Sequence, residues 1–543
     1  MLLVTSGCQK PEEFRTPSSS LQATTAKVSV QYCHTPVTVC EKGDGRLMSG
    51  PEEEAADGQT SDSKLATRHP QQPIVGIDTA VELARRAAER VPAYNKLLTA
   101  NGADPDAIDE ASFHALPPMT KADYLKAYDQ PELVWDADLG RVVNWSASSG
   151  SSGMPTYFPR SRKSLYDSIR FHEQILRDTF HAHERTTLAV NTFAMGTWIA
   201  GSYTLMALNG ANDLEIPVSV ISPGIEIDDA VRALTELAPN YEQVVITGYP
   251  PHVKDVLDRL AADAPAALSQ DIKLLLAGEL ITETWRDHLL KRIGKPNDPA
   301  SIVLIYGTAD AGLMGFETSL SIAIRRAAEH DPNLRGALFD EDVTHLPTFV
   351  EYDPVARYVE TDEDGCLLFT LDTTLPLVRY RIKDEGELYD GSTMRDVLEA
   401  YGHDELAQRV TDNHFLALYG RPDVAVTFYA VNIYFHNVQP VVEDPRVADA
   451  LSGYFHMPHP ENADLSMTLR IMFELKNGVT ETESLRETLA QIAYEELRHS
   501  NGEYRTLCDG KGEPAHPVVS LHSYRSRPEF ERKAKQQHTG KRR

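Results

Sequence analysis

The sequence predicts an α/β protein with a large sheet-bearing domain and a smaller α+β domain behind it, on three observations. Short β-type runs at 187–190, 243–247, 272–276 and 302–306 alternate with helical patterns at 230–237 and 251–260. That strand–crossover–strand spacing implies a mainly parallel sheet covered on both faces. Each run enters a glycine-containing turn, and ligands of such sheets bind beyond the carboxyl ends of the strands, where Gly278-Glu279 and Gly307-Thr308 fall. Beyond Gly420 the character changes to a short α+β unit of about 120 residues, a plausible separate domain.

In chain order, residues 1–72 are rich in Ser, Thr, Gln, Glu, Pro and Gly and poor in periodic apolar content, which predicts a disordered leader or an over-long gene start. Residues 28–39 have the composition of a short strand. The large domain is expected over 73–421. Thr79 and Glu82 have capping-box spacing ahead of Val81, Leu83, Ala84 and Ala87. A second helix ends at Asn101-Gly102. Thr120 and Asp123 can start another after Leu116-Pro-Pro-Met, a segment expected to pack beneath the loop described next. A helix is expected over 161–180 and a hairpin from 366–371 and 376–380. The small domain, 422–543, opens with strand-like 424–434 and continues with 467–475 and the turn pair Asn477-Gly478. Ser484 with Glu487 then caps a helix carrying Leu485, Leu489, Ile492 and Leu497.

The most chemically suggestive stretch is Ser148, Ser149, Gly150, Ser151, Ser152 and Gly153, closed by Pro155. Two glycines admit a tight turn, and hydroxyls with free N–H groups suit a phosphate chain. No Gly-Lys-Ser/Thr closes it, and no Ser is centred between glycines as in a hydrolase elbow. Ser/Gly runs are also linker sequence. Against that reading, Val142-Val143, Trp145 and Tyr157-Phe158 flank the run with residues of buried type.

A net charge of −27 argues against a nucleic-acid groove or an anionic membrane surface as partner. No run approaches the ~18 apolar residues of a membrane span, and residues 1–8 are too short and too poor in positive charge for a secretory signal. Five scattered cysteines without Cys-x-x-Cys fit a reducing cytoplasm. His181-Ala-His183 and His456-x-x-His459 have no Cys or carboxylate at zinc spacing, which favours structural or solvated histidines.

Four motifs stand in order: residues 148–155, Tyr306-Gly-Thr-Ala-Asp310, Tyr380-Arg-Ile-Lys-Asp384, and Gly420-Arg-Pro-Asp423 with Asn432-Ile433. Together they resemble the adenylate-forming acyl-CoA synthetase superfamily, and Leu116-Pro-Pro-Met-Thr-Lys121 is similar to its phenylacetate–CoA ligase branch. The resemblance spans about residue 80 to the end. It implies a small carboxylic acid activated by Mg-ATP to an acyl-adenylate, then passed to coenzyme A, or to an amine or carrier protein. A catalytically idle, nucleotide-binding relative is a further possibility, and a homodimer is compatible with the resemblance. By the same resemblance residues 148–153 hold the β- and γ-phosphates, Thr308 touches the α-phosphate, and Tyr306 and Gly307 lie near the adenine. Asp310 stands where the family usually has a magnesium-ligating Glu. Asp384, with Arg421 beside it, receives the ribose hydroxyls. Asp423 is the hinge, and Lys541 is the small-domain lysine aimed at the developing charge, ahead of Lys533 and Lys535. Two positions depart from the pattern. Ala430 stands where the family has a glycine lining the pantetheine passage, and Thr427 replaces a lysine. Cys366 is the lone cysteine between Asp310 and Asp384, so the cysteine-bound zinc of some relatives is not expected. Phe193, Met195, Trp198 and Tyr203 are candidates for an acyl pocket or for plain core, and Glu279 for the adenine side or a surface turn.

Overall fold

The computed structural model describes residues 75–147, 156–197, 199–339, 346–420, 425–428, 431–458, 460 and 468–532. The expected leader, with its strand-like 28–39, lies outside them. The described residues lie in one compact unit.

The first helices are α1 (Ile77–Arg90), α2 (Pro92–Ala100) and α3 (Glu110–Phe113). α1 begins two residues before the expected box. Its cap is Gly76 at φ +89°, where a Cβ would lie 2.1 Å from the Pro354 carbonyl oxygen, so only glycine fits. Thr79 and Glu82 therefore sit inside the helix. Thr120 does cap the next turn, Lys121–Leu125, its hydroxyl accepting from the Asp123 N–H.

A two-stranded ribbon follows, β1 (Val142–Ala147) and β2 (Tyr157–Ser161), then α4 (Arg162–Gln174), which continues as a π-turn to Thr179. The next elements are β3 (Thr187–Asn191), α5 (Ile199–Asn212), β4 (Val218–Ile221), α6 (Ile227–Glu236), β5 (Gln243–Gly248), α7 (Pro250–Asp263), β6 (Ile272–Ala277), α8 (Glu283–Arg292) and β7 (Ile302–Thr308). Five strands, in the order β7-β6-β5-β3-β4, are parallel. Their side chains alternate between two covered faces. Leu188, Val190, Val244, Ile246, Leu274 and Leu276 pack on α6, α7 and α8, while Ala189, Val245, Leu275 and Val303 pack on α4 and α5.

From β7 the sheet continues antiparallel. β8 (Gly312–Phe316), β9 (Thr348–Glu351), β10 (Tyr358–Thr361), β11 (Cys366–Leu371), β12 (Leu377–Asp390) and β13 (His414–Gly420) extend it to eleven strands in the order β10-β11-β12-β13-β9-β8-β7. The hairpin expected from 366–380 is β11–β12.

The segment expected as one strand at 424–434 is instead a hairpin, β14 (Ala425–Phe428) and β15 (Val431–Tyr434), because Phe428 pairs back on Val431. β16 (Leu451–His456), β17 (Arg470–Leu475) and β18 (Val518–His522) form a second small sheet. The helix Glu483–Ser500 is capped by Thr482, not Ser484, with the Thr482 hydroxyl accepting from the Leu485 N–H. Val426, Ile433, Phe455, Phe473, Leu489, Leu497 and Leu521 share a core of their own. This region docks on α7. Arg532 pairs with Asp255 at 2.5 Å and Glu474 at 2.8 Å, 3.9 Å from the Tyr454 ring centre, and the Lys254 ammonium donates to Asp258 and to the Leu451 carbonyl. Among the described residues no helix is long and apolar enough to cross a membrane. Cys366 and Cys508 are buried free thiols.

One ionic cluster ties α8 to the helix Ser319–His330. Glu283 meets Arg286 at 3.1 Å, Arg326 at 2.8 Å and also Arg325, while Arg286 reaches Glu317 at 2.6 Å. Burial works to raise the Glu283 carboxyl, and the three guanidinium groups outweigh it, holding it from an ordinary 4.5 down to about 2. Its folded value lies below its unfolded one, so the stabilisation is complete above pH 4.5 and is lost as pH falls toward 2. Glu283→Gln should lower the melting temperature at neutral pH, consistent with a loss of about 3–5 kcal/mol for breaking a buried pair. In a calorimetric pH series the gap to the parent should close between pH 4.5 and about 2. A gap independent of pH would show that the charge is not what Glu283 contributes.

Candidate functional site

The site is built where the parallel half of the sheet ends. β7 turns straight back into β8, with a bulge between Tyr306 and Gly307. Gly307 is required there, since a Cβ would come within 2.8 Å of the Gly312 carbonyl oxygen. The Thr308 hydroxyl accepts from the Ala311 N–H at 3.0 Å, which fixes the tip with Ala309 and Asp310 at its apex.

Strand β12 supplies two partners to this hairpin. The Tyr306 hydroxyl donates to Asp384 Oδ2 at 2.7 Å across 78 residues of sequence, and the Tyr380 hydroxyl donates to Asp310 Oδ2. Asp384 is 8% exposed, and the Tyr306 ring lies 6.2 Å from that of Phe369. β12 is unusual at two positions flanking these groups: Arg379 at φ +48° and Lys383 at φ +66° are left-handed without being glycine. Arg379 is held by Glu360 at 3.2 Å and by the Leu116 carbonyl. The Arg381 N–H donates to the Met119 carbonyl at 2.9 Å. Segment 116–121 is thereby laid along β12, and it does more than pack. It brings the Lys121 ammonium to 3.6 Å from Asp310 Oδ1.

The Ser/Gly loop itself, with Ser148 to Gly153, lies outside the described residues, but both of its roots are placed. Ala147 pairs with Tyr157, and the Ala147 N–H donates to the Thr197 carbonyl. Arg160 on β2 is 2% exposed; its Nε donates to Ser146 Oγ at 3.2 Å and its Nη2 to the Ala309 carbonyl. One guanidinium thus joins the base of the loop to the tip carrying Asp310. The flanks are less buried than their composition suggests. Phe158 is buried, whereas Val143, Trp145 and Tyr157 are exposed.

The other predicted residues divide. Trp198, Arg421, Asp423, Ala430 and Lys541, with Lys533 and Lys535, lie outside the described residues, as does the Thr427 side chain. Phe193 is buried at the end of β3, its N–H donating to Asn191 Oδ1. Tyr203, considered for an acyl pocket, turns instead toward α4, where its hydroxyl donates to the Ser164 carbonyl. Glu279 is not a surface turn. It is 8% exposed behind Gly278 at φ +104° and acts electrostatically on Tyr454 of the C-terminal region.

Sequence reasoning quoted Lys121 and Tyr380 inside motifs without giving either a role, and missed Arg160 altogether. Lys121 had a signal, a lysine closing an apolar turn-rich segment, whereas Arg160 had none, since it stands near the end of β2 without a motif around it. Chemically, the site offers two carboxylates, two phenols and an ammonium along one strip, next to the roots of a donor-rich loop. Carboxylates and phenols of this kind can receive the hydroxyl groups of a polar ligand, and the ammonium can meet an anionic part of it.

No protein-family model matches the chain, and no curated protein matches it. Solved structures do. Two are structures of 2-hydroxyisobutyryl-CoA ligase in the postadenylation state, one with 2-HIB-AMP and one with R3-HIB-AMP. They superpose with TM-scores of 0.60 and 0.59, each at 15% identity and covering 86% of this chain and 89% of the other. The chain has the fold of these adenylate-forming ligases.

Tyr306 and Asp384 should act as one unit. In a double-mutant cycle on unfolding free energy, read by denaturant titration, Tyr306→Phe and Asp384→Asn are expected to couple by about 1 kcal/mol. Additive losses would separate them.

Proposed function

We propose that this protein is an ATP-dependent carboxylate ligase that activates a small organic acid through an acyl-adenylate and then passes the acyl group to coenzyme A. The observation that carries the reading is the convergence of Tyr306–Asp384 and Tyr380–Asp310–Lys121 beside the roots of the Ser/Gly loop. The phenylacetate–CoA ligase branch is preferred because segment 116–121 is bound along β12 and delivers Lys121 to the site.

A carboxylate attacking a polyphosphate meets like-charge repulsion, so the protein must supply cations and N–H donors where charge develops. In this reading the loop 148–153 grips the terminal phosphates, Thr308 lies at the α-phosphate and Lys121 adds a positive charge between them. Asp384 orients the ribose, with Arg421 beside it, and Tyr306 steadies Asp384. Gly307 and Glu279 border the base. Phe193 and Trp198 line the acyl pocket. Lys541 comes from the small domain, 422–543, turning about Asp423. Mg²⁺ fits as a mostly phosphate- and water-bound ion. Asp310 is a lone carboxylate, and among the described residues no group of three or more His, Cys, Asp or Glu gathers to form a cage. When bound, the ion neutralises phosphate charge; Asp310, held by Tyr380 and Lys121, would orient it. The reading places the enzyme in the cytoplasm, which suits its buried free thiols. It involves no nucleic acid and no membrane.

One observation favours a second reading. Asp310 is already served by a hydroxyl and an ammonium, as it would be in a relative that binds nucleotide without reacting.

Acid-dependent exchange of labelled pyrophosphate into ATP, across a panel of small organic acids, separates the two. Exchange with at least one acid is expected, with a thioester on adding coenzyme A. Lys541→Ala should lower the exchange about a hundredfold or more while ATP still binds. ATP binding with no exchange for any acid would establish the idle reading. An acyl-adenylate that forms but yields only amide would move the second step to an amine.

A further inference from the structure

A cavity of about 840 Å³ opens between α1 and α4, with a floor made by Arg160, Tyr203, Gly312 and Arg357. Its rim is charged but balanced. Lys163 meets Asp167 at 2.9 Å, Arg86 meets Asp372 at 3.2 Å, and Arg170 and Arg177 both meet Glu173. The floor is not balanced. The Arg357 Nε donates to the Leu313 carbonyl at 2.6 Å and its guanidinium stands 5.3 Å from the Phe171 ring centre. Arg160 is bonded to a hydroxyl and a carbonyl and stands 5.6 Å from the Tyr203 ring centre. Among the described residues neither guanidinium has a carboxylate at ion-pair distance. The acids that act on them from farther away have closer partners of their own: Asp353 accepts from the N–H groups of Val355 and Ala356, Asp167 meets Lys163, and Asp310 meets Tyr380 and Lys121.

Burial pulls both guanidinium groups down from their ordinary range, yet an arginine stays charged in a protein. Arg160 is buried and Arg357 half-buried, and charges withdrawn from water are normally paired. Here two cations share one cavity whose floor also offers the faces of Tyr203 and Phe171.

We propose that the cavity between α1 and α4 is a second ligand site, which takes a small organic anion with its carboxylate or phosphoryl group between Arg160 and Arg357 and its body against Phe171 and Tyr203. A planar guanidinium suits both anion types by paired N–H donors. The site is distinct from the strip that carries Asp310 and Asp384. It borders that strip along the β7–β8 hairpin, through the bonds from Arg160 to the Ala309 carbonyl and from Arg357 to the Leu313 carbonyl and through the lining residues Ala311 and Gly312, so occupancy and nucleotide binding are linked.

The test uses the full chain in a buffer free of phosphate, sulfate and carboxylates, titrated calorimetrically with benzoate in one arm and phenyl phosphate in the other. Binding in at least one arm is expected, and the stronger arm identifies the anion type. Arg357→Gln should weaken it at least about tenfold, the scale of one lost charge-assisted hydrogen bond, while Arg357→Lys keeps part of it. Arg357 is not among the residues proposed to hold the nucleotide and meets their hairpin at the Leu313 carbonyl, so pyrophosphate exchange should persist in Arg357→Gln. Should that variant fail to fold, Ala356→Glu serves instead. It sets a carboxylate at an exposed lining position beside Arg357 and should abolish the same binding. The proposal is overturned if neither anion binds the parent protein, or if binding survives these substitutions undiminished. The latter result would place the anion in the acyl or phosphate site instead.

Discussion

The reversal of chain direction at β7 is the constraint on which the candidate site depends. Four parallel strands deliver their carboxyl ends to one edge of the sheet, and β7, the fifth, does the same. A crossover helix would then carry the chain away from that edge. Instead β7 folds back on β8, with Gly307 close against the Gly312 carbonyl, so the tip with Asp310 projects beyond the edge and stays there. Everything with chemical potential is fastened to that tip: Tyr380 and Lys121 to Asp310, Arg160 to Ala309, and Asp384 to Tyr306 just behind. The antiparallel half of the sheet extends the fold and also brings β12 alongside the tip.

Buried charge recurs as the means of joining distant segments. Glu283 gathers three arginines, Arg532 ties the C-terminal region to α7 through Asp255, and Arg379 anchors segment 116–121 through Glu360 and the Leu116 carbonyl. Such pairs contribute little net stability compared with well-packed apolar groups, but breaking one is costly, so they specify which segments meet. Arg160 and Arg357 depart from this pattern because, among the described residues, no carboxylate lies at ion-pair distance from either, although Asp310 acts on Arg160 and Asp167 and Asp353 on Arg357 from farther away.

The parallel strands were legible because a strand buried on both faces reads as a continuous apolar run, and Leu274, Leu275 and Leu276 serve both faces in turn. The tip was legible through Gly307 and its neighbours, whereas the bond of Tyr306 to Asp384, 78 residues apart, was not. Elsewhere local signals misled. The Thr79–Glu82 spacing satisfies a capping box, but Gly76 starts the helix because tertiary contact with Pro354 demands a glycine. The hairpin hidden in 424–434 depends on a reversal that the apolar pattern does not mark. Arg160 was invisible because its importance lies in what it joins, Ser146 and Ala309, residues 14 and 149 positions away. Sequence spacing carries no record of that meeting.

Amide hydrogen exchange with and without AMP tests the central claim most directly, because it reports where the nucleotide is held without assuming a reaction. The account predicts that protection concentrates on β7, the tip to β8, and the stretch of β12 from Tyr380 to Asp384. Protection confined to other strands, with these segments unchanged on saturation, would contradict it.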